Sequence, residues 1–317
     1  MTSLSQLPSR RCESGLCHGP DLIDAARSGN TARVKRLLEA GAPVEFRDED
    51  DRTAFMWACI EGRIEVMKLL TKTGLDVNQT ARDGSTALIQ AAIWGHSRVV
   101  RLLLERGANV RARDWLLGST ALIFACLAGH DEIARELLDH GAEIDAQDND
   151  GRTALLEASF AGHRKIVEML LDRGAHPNAR NRYWTTPLIA AAITVEPEVV
   201  EILLDRGARV NDKNRYGKTP LMEAALAGCR KTVELLLTRG ANIEAEDHEC
   251  HTALMLAARA GHADVVRVLV QHGARLDRED SQGNTATSLA VKFGHQKVAH
   301  FLLSALASQP SSCSTAA

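Results

Sequence analysis

Side chains of the types that hold zinc are densest in the segment DHECH, Asp247 to His251. Aspartate, histidine, glutamate and cysteine are all zinc ligands. However, one short segment rarely presents four ligands tetrahedrally, and no second cluster lies at the spacing of a zinc site. Cys12 and Cys17 with His18 form a weaker candidate near the N-terminus. We therefore expect no metal ion and no other cofactor.

Motifs of enzyme active sites are also missing from the sequence. The chain has no glycine-rich phosphate loop, no Gly-x-Ser-x-Gly turn and no HExxH motif. Five of its twelve histidines recur in Gly-His pairs and are expected to be structural: His96, His130, His163, His262 and His295. The sequence thus predicts a protein that is not an enzyme.

Aromatic and basic side chains occur together in two similar segments, NARNRYWT (178–185) and NDKNRYGK (211–218). Rings beside cations are typical of a surface that binds another molecule. Only Asp212 offsets the charge of these segments, whose candidate binding residues are Arg180, Arg182, Tyr183, Trp184, Lys213, Arg215, Tyr216 and Lys218. A third segment, RARDWLLG (111–118), adds Trp115 and Leu117. The alternative is that these charges are merely solvated loop residues.

Composition and charge are those of a soluble globular protein. The 317 residues are 45% hydrophobic and 25% charged, and a net charge of −3 identifies no partner. No run approaches the ~20 apolar residues that cross a bilayer, and the first residues lack the apolar core of a signal peptide. Seven cysteines without a Cys-x-x-Cys pair indicate reduced thiols. We expect a cytoplasmic protein that is also found in the nucleus.

The chain repeats itself with a period of 33 residues. A threonine at the start of a helical segment recurs at this spacing, from Thr53 to Thr285, with one extra residue before Thr120. Counting back from Thr53 adds a first unit at residue 20. We predict nine units within residues 20–306, starting near 20, 53, 86, 120, 153, 186, 219, 252 and 285, and disordered tails at 1–19 and 307–317.

Each unit has the pattern of two short helices followed by a turn. In the unit that starts at Thr153, this threonine is a candidate N-cap, and an alanine-rich helix leads to Ala-Gly-His. A second helix follows, with Gly174 at its C-terminal cap and one apolar stripe of Ile166, Val167, Leu170 and Leu171. Two such helices bury their apolar faces only when units stack. Polar Arg33 and Ser288 replace apolar residues in the first and last units, as end caps require.

This pattern resembles the ankyrin repeat, with the consensus D-x-x-G-x-T-P-L-H-x-A-A-x-x-G-H, an I-V-x-x-L-L helix and Gly-Ala. Gly-Ala recurs seven times in the chain, at 41–42, 107–108, 141–142, 174–175, 207–208, 240–241 and 273–274. The resemblance covers nearly the whole chain and implies an all-α repeat solenoid of helix-turn-helix units joined by β-hairpin loops. The histidine of T-P-L-H is absent here, replaced by residues such as Met56 and Ile89. We therefore expect junctions between units to rely on apolar packing.

The resemblance also implies that partners bind at hairpin tips and on the exposed face of each first helix. We expect that face to carry the two residues before Gly-His, among them Trp94 and Phe160, and the residue before the Ala-Ala pair, which is Trp57, Gln90, Phe124, Glu157, Ala190 or Glu223. Trp57, Trp94, Phe124 and Phe160 join the candidate binding residues. Exposure and packing between repeats both remain open for Ile93, Leu127, Ile193 and Leu226.

These patterns together predict a non-enzymatic scaffold or adaptor. A monomeric chain would bind a partner protein or peptide, with an acidic segment, on the concave face and hairpin tips of repeats three to seven. The alternative is nucleic-acid binding through the Arg, Lys, Tyr and Trp residues of repeats six and seven, with bases stacked on the rings. Acidic tips beside that patch would repel phosphates, and we expect no membrane insertion.

Overall fold

The structure, a computed structural model, describes residues 18–194 and 196–308. Those residues form eighteen α-helices and no β-strand. First and second helices alternate in nine pairs: α1 (His18–Arg27), α2 (Thr31–Glu39), α3 (Ala54–Ile60), α4 (Ile64–Thr71), α5 (Ala87–Ile93), α6 (Ser97–Glu105), α7 (Ala121–Ala128), α8 (Asp131–Asp139), α9 (Ala154–Phe160), α10 (Arg164–Asp172), α11 (Pro187–Ile193), α12 (Pro197–Asp205), α13 (Pro220–Ala227), α14 (Arg230–Thr238), α15 (Ala253–Ala260), α16 (Ala263–Gln271), α17 (Ala286–Lys292) and α18 (Gln296–Ser308).

The helices group into two compact units. Of the described residues, unit 1 comprises 18–125 and 132–143, and unit 2 comprises 126–131, 144–194 and 196–308. In unit 1, α1 packs on α3 and α3 packs on α5. In unit 2, each first helix from α9 to α15 packs on the next first helix, and the second helices pack in the same order. The predicted all-α architecture of stacked helix pairs is thus confirmed within each unit.

Threonine caps begin the first helices from α3 to α17. Each of eight threonine hydroxyls accepts a hydrogen bond from the backbone N–H three residues later, at 3.2 to 3.4 Å. The hydroxyl thus satisfies an N–H that has no partner within the helix. Gly174 follows α10 with φ of 88°, the left-handed conformation predicted for a C-terminal cap.

Apolar side chains of both helices fill each unit, such as Phe55 and Met67 in unit 1 and Leu155 and Leu170 in unit 2. Cys59 and Cys126 are fully buried, and burial raises the pKa of both thiols. They remain protonated and act as small core residues, as predicted. None of the described helices is long and apolar enough to cross a membrane.

Histidines of the Gly-His pairs connect successive pairs of helices. The Nε2–H of His96 donates to the carbonyl of Ile60 at 2.7 Å. Three more histidines bond in the same way to a carbonyl 36 residues earlier, at 3.0 to 3.1 Å: His163, His262 and His295. The structural role predicted for these four is confirmed. Inter-repeat bonds therefore come from Gly-His, although the histidine of T-P-L-H is absent.

The ends and the loops differ from the predicted boundaries in detail. Helix α1 begins at His18, where Gly19 packs against the ring of Phe46, and α18 continues to Ser308 because no glycine or proline precedes that residue in the helix. The rest of the expected tails, 1–17 and 309–317, lies outside the described residues. In the described loops, the expected β-hairpins form turns with two isolated bridges, Thr80 to Thr86 and Arg113 to Thr120.

A histidine at position 196 should strengthen the junction between the fifth and sixth pairs. Glu196 occupies the place of the Gly-His histidine and lies against Gly162, but a carboxylate has no N–H to donate. We expect Glu196→His to add a bond to the Phe160 carbonyl and to raise the free energy of unfolding by about 1 kcal/mol. Urea denaturation measures this free energy. The converse control is His262→Glu, which should lower the free energy of unfolding by a similar amount. No gain at position 196 would contradict the role given to these histidines.

Candidate functional site

Backbone hydrogen bonds join the successive hairpin tips of unit 2. Arg182 N–H donates to Asp150 O at 2.8 Å, and Arg215 N–H donates to Tyr183 O at 2.8 Å. His248 N–H donates to Tyr216 O at 3.1 Å. Each tip is thereby fixed to the tip before it. The two aromatic and basic segments identified in the sequence lie side by side.

Buried asparagines hold the individual turns of these tips. The Oδ1 atom of Asn181 accepts from the N–H groups of Tyr183 and Thr185, both at 2.9 Å. Asn214 does the same for Tyr216 and Lys218, at 2.9 and 3.0 Å. An asparagine that bonds to backbone two and four residues later closes a tight turn. Each tyrosine therefore stands at a defined place on its tip.

Trp184 adopts a backbone conformation that favours glycine. Its φ is 57°, in the left-handed region that costs a non-glycine residue about 1–2 kcal/mol. Asp51 and Cys250 have the same conformation, whereas Gly217 occupies the equivalent place in the next tip. The Trp184 side chain is nevertheless 57% exposed. Folding thus gains little from burial of this ring to offset the backbone cost.

Tyr183, Arg215 and Tyr216 form a stack across two tips. The guanidinium carbon of Arg215 lies 5.2 Å from the ring centroid of Tyr183 and 5.4 Å from that of Tyr216. These distances are within the range of cation–π attraction. Both rings remain partly exposed, at 37% and 56%. The stack is an ordered aromatic surface that carries one positive charge.

Ion pairs reduce the positive charge expected for the two segments. A nitrogen of the Arg180 guanidinium lies 3.1 Å from an Asp212 carboxylate oxygen, and one of Arg182 lies 3.7 Å from an oxygen of Asp150. The Lys213 ammonium donates to the backbone carbonyl of Glu246 at 2.7 Å. Asp212 is the offsetting charge that the two segments themselves contain. Asp150 lies 32 residues before Arg182, and only the packing of the repeats brings the two together.

The residue before the Ala-Ala pair is not the exposed position that we expected. Gln90, Glu157 and Ala190 are buried there, and Trp57, Phe124 and Glu223 are half-buried. Three of the polar members bond to the turn that precedes their own helix. Gln90 bonds to Ser85 at 2.8 Å, Glu157 to Arg152 at 3.2 Å and Glu223 to Asn214 at 3.2 Å. In these three repeats the residue therefore links the helix to its own hairpin, and at none of the six positions is the side chain exposed.

Burial also governs the carboxylates at this position. It raises the pKa of Glu157 above its usual value, and Arg152 opposes the change. Burial likewise raises the pKa of Glu223, against the opposing effects of the Lys218 charge and the Asn214 hydrogen bond. The charge of Lys218 thus acts on a carboxylate of its own repeat.

Trp57 is the clearest exception among the expected anchors. Its indole N–H donates to Asp48 Oδ2 at 2.6 Å. The guanidinium carbons of Arg27 and Arg52 lie 4.5 and 5.2 Å from the ring centroid. With its polar atom bonded and its ring in contact with two arginines, Trp57 is half-buried and helps to hold the tip of its repeat.

The two residues before Gly-His supply most of the exposed apolar side chains of the first helices. Phe160 in unit 2 is 49% exposed, and Trp94 in unit 1 is 61% exposed, as we expected. Among the four residues left open, Leu127 and Ile193 are exposed, whereas Ile93 and Leu226 are half-buried. Exposure at this position thus varies from one repeat to the next.

Unit 1 carries an apolar tip of its own. Trp115, Leu116 and Leu117 are exposed in succession. The Trp115 N–H donates to Asp83 O at 2.7 Å, and its ring lies over Gly84. The Asp114 carboxylate accepts from the N–H groups of Leu117 and Ser119 and holds the enlarged turn. The one-residue insertion seen in the sequence thus displays Trp-Leu-Leu.

The DHECH segment uses its polar side chains within its own turn. Asp247 Oδ1 accepts from the N–H groups of Glu249 and His251, at 2.9 and 2.8 Å. The His251 ring is buried, with Nδ1 3.2 Å from Asp247 Oδ2. Across residues 18–194 and 196–308, no three His, Cys, Asp or Glu side chains are grouped to hold a metal ion. Cys12 and Cys17 lie outside these ranges.

Comparison with known proteins gives one family match. A family model described as ankyrin repeats, three copies, matches residues 22–114, 115–181, 181–247 and 244–312. These segments cover almost all of the chain between its two ends. No curated protein matches the sequence.

Replacing Trp184 with glycine should relax the strained turn. We expect Trp184→Gly to raise the free energy of unfolding by about 1 kcal/mol, because relief of the left-handed conformation exceeds the entropy that glycine costs. Trp184→Ala keeps the strained backbone and should show no gain. Gly217→Ala is the converse control, since its Cβ would lie 2.9 Å from the His248 nitrogen at a φ of 79°. If urea denaturation shows that Trp184→Gly lowers the free energy of unfolding as much as Gly217→Ala does, the strain that we assign to the Trp184 turn is contradicted.

Proposed function

The chain belongs to the ankyrin-repeat family, and from that premise we propose that it is a non-enzymatic scaffold or adaptor that binds a partner protein or peptide through the hairpin tips of unit 2. Ankyrin repeats are generally protein–protein interaction modules, and proteins built from them are typically non-enzymatic scaffolds. The proposed surface consists of Tyr183, Trp184, Arg215 and Tyr216 and is called the aromatic tip surface below.

The exposure of Trp184 at a strained turn is the observation that carries this proposal. Glycine would occupy the position at lower cost, and the ring is 57% exposed. Strain that the fold does not require is characteristic of functional positions. Large exposed aromatic rings beside an arginine have the composition of interface anchors. Trp94, Trp115 and Leu117 offer unit 1 a second, separate surface of the same kind.

The electrostatics of the tips favour a protein over nucleic acid. Arg180 and Arg182 already pair with aspartates, and the tip that follows Tyr216 carries Glu246, Asp247 and Glu249, of which Glu249 is exposed. A phosphate backbone would meet these carboxylates, whereas a folded protein or short peptide can avoid them.

We further propose that the protein acts as a monomer in the cytoplasm or nucleus. In support, the four cysteines that the structure describes are free thiols.

Removal of the aromatic tip surface should abolish partner capture. The full chain serves as bait in a cell lysate beside a Tyr183→Ala/Trp184→Ala/Tyr216→Ala variant, and circular dichroism confirms the fold of each. The matched control replaces three exposed apolar residues of the last repeat, Val291, Leu303 and Leu306, with alanine.

We expect the control to recover the same proteins as the wild type and the tip variant to lose them, because large buried anchors carry most of an interface's binding energy. Equal recovery by all three baits would contradict the proposal. Salt-sensitive retention of the wild type on single-stranded DNA, abolished in the tip variant, would support the nucleic-acid alternative instead.

A further inference from the structure

We propose that Arg215, held between the rings of Tyr183 and Tyr216, binds a single carboxylate of the partner, and that the partner segment is a short peptide with one Asp or Glu beside an apolar side chain. This inference rests on the proposed function, since it assigns the chemistry of the partner at the aromatic tip surface.

Contacts of both its backbone and its side chain fix the position of Arg215. Its N–H bonds to the Tyr183 carbonyl at 2.8 Å, and its guanidinium lies within 5.4 Å of both ring centroids. Within the described part of the chain the Arg215 guanidinium donates no hydrogen bond to a side chain or a carbonyl, so its N–H donors stay available. Because the rings restrict the side chain, little conformational entropy is lost when those donors bind an anion.

The neighbouring cations of these tips already have protein partners. Arg180 and Arg182 pair with Asp212 and Asp150, and Lys213 bonds to the Glu246 carbonyl. Arg215 is exposed and, among the described residues, has no carboxylate within ion-pair distance. The donors of its guanidinium are thus the ones left for an external acceptor. A carboxylate matches their fork with two parallel hydrogen bonds.

The surrounding charge limits the partner to one negative group. Asp212 lies on the same tip as Arg215 and pairs with Arg180, and the exposed carboxylate on the following tip is that of Glu249. A run of acidic residues, or a doubly charged phosphate, would bring more negative charge than the one unpaired arginine offsets, close to Glu249. A lone Asp or Glu meets the arginine at the lowest electrostatic cost.

An adjacent pocket can take the apolar neighbour of that carboxylate. It has a volume of about 430 Å³, and apart from Tyr216 and Leu256 its lining is polar: Lys218, Asp247, His248, Glu249, His251 and Arg259. Leu256 is 2% exposed and supplies an apolar floor, and the Tyr216 ring borders the pocket. On the other side of the stack, the exposed Trp184 offers a second apolar contact. The apolar contacts that this surface offers beside its one anion donor are thus the exposed rings of Tyr216 and Trp184 and the Leu256 side chain at the base of the pocket.

A selected peptide provides the test. A phage-displayed library of random 12-residue peptides is panned on the full chain, with the Tyr183→Ala/Trp184→Ala/Tyr216→Ala variant as a counter-selection. The best peptide is synthesised, together with a form in which each Asp or Glu is changed in turn to its amide. Calorimetry then measures the affinity of the wild type, Arg215→Gln and Arg215→Lys, with exposed Arg209→Gln of the same unit as the matched control.

We expect the affinity of the selected peptide to depend on one of its acidic residues. Its amide form and Arg215→Gln should each weaken binding about 10- to 100-fold, as for a hydrogen bond to a charged group. The two changes together should weaken it no further than either alone, because they remove the same interaction. Arg215→Lys should recover only part of the affinity, since a lysine lacks the planar fork. Arg209→Gln should have no effect.

Peptides that need the aromatic rings but ignore Arg215→Gln would overturn this inference and leave the proposed function standing. A library that yields no binder dependent on Tyr183, Trp184 and Tyr216 would overturn both.

Discussion

The hydrogen bond from the Arg215 N–H to the Tyr183 carbonyl, 2.8 Å long, is the constraint on which the candidate surface depends. It belongs to a series in unit 2 that joins Asp150 to Arg182 and Tyr216 to His248. A lone hairpin tip would leave its tyrosine free to move. Joined to its neighbours, each tip presents its side chains at a fixed spacing, and an arginine from one tip can lie between the tyrosines of two. Binding to such a surface loses little conformational entropy.

The sixth repeat departs from the common repeat pattern at two positions. Trp184 stands in the place of the turn glycine with φ of 57°, and Glu196 stands in the place of the bonding histidine. Each change removes a feature that stabilises several other repeats, although Asp51 and Cys250 also stand in the place of the turn glycine and Cys229 in that of the histidine. The loss at Trp184 coincides with an exposed ring beside the Tyr183 and Arg215 stack. Proteins keep such costs where function requires them, and we interpret the tryptophan in this way.

Local features of the fold could be predicted from the sequence. The threonine caps and the left-handed glycines depend on residues within one turn of the chain, so a repeat period and a few residue types suffice. Exposure on the first helices could not be predicted in the same way. The residue before the Ala-Ala pair bonds to its own hairpin, as Trp57 does with Asp48, and helical spacing alone does not reveal that contact. The Arg182 pair with Asp150 and the Arg215 stack join residues about one repeat apart, and their geometry exists only after the repeats pack.

Amide hydrogen exchange at the tips tests the central claim most directly. The tip-to-tip bonds predict that the N–H groups of Arg182 and Arg215 exchange far more slowly than in an unstructured peptide, although both side chains are exposed. Exchange of these two amides at the rate of a free peptide, while the helices of unit 2 stay protected, would contradict the account, because the tips would then be mobile loops without a preformed surface.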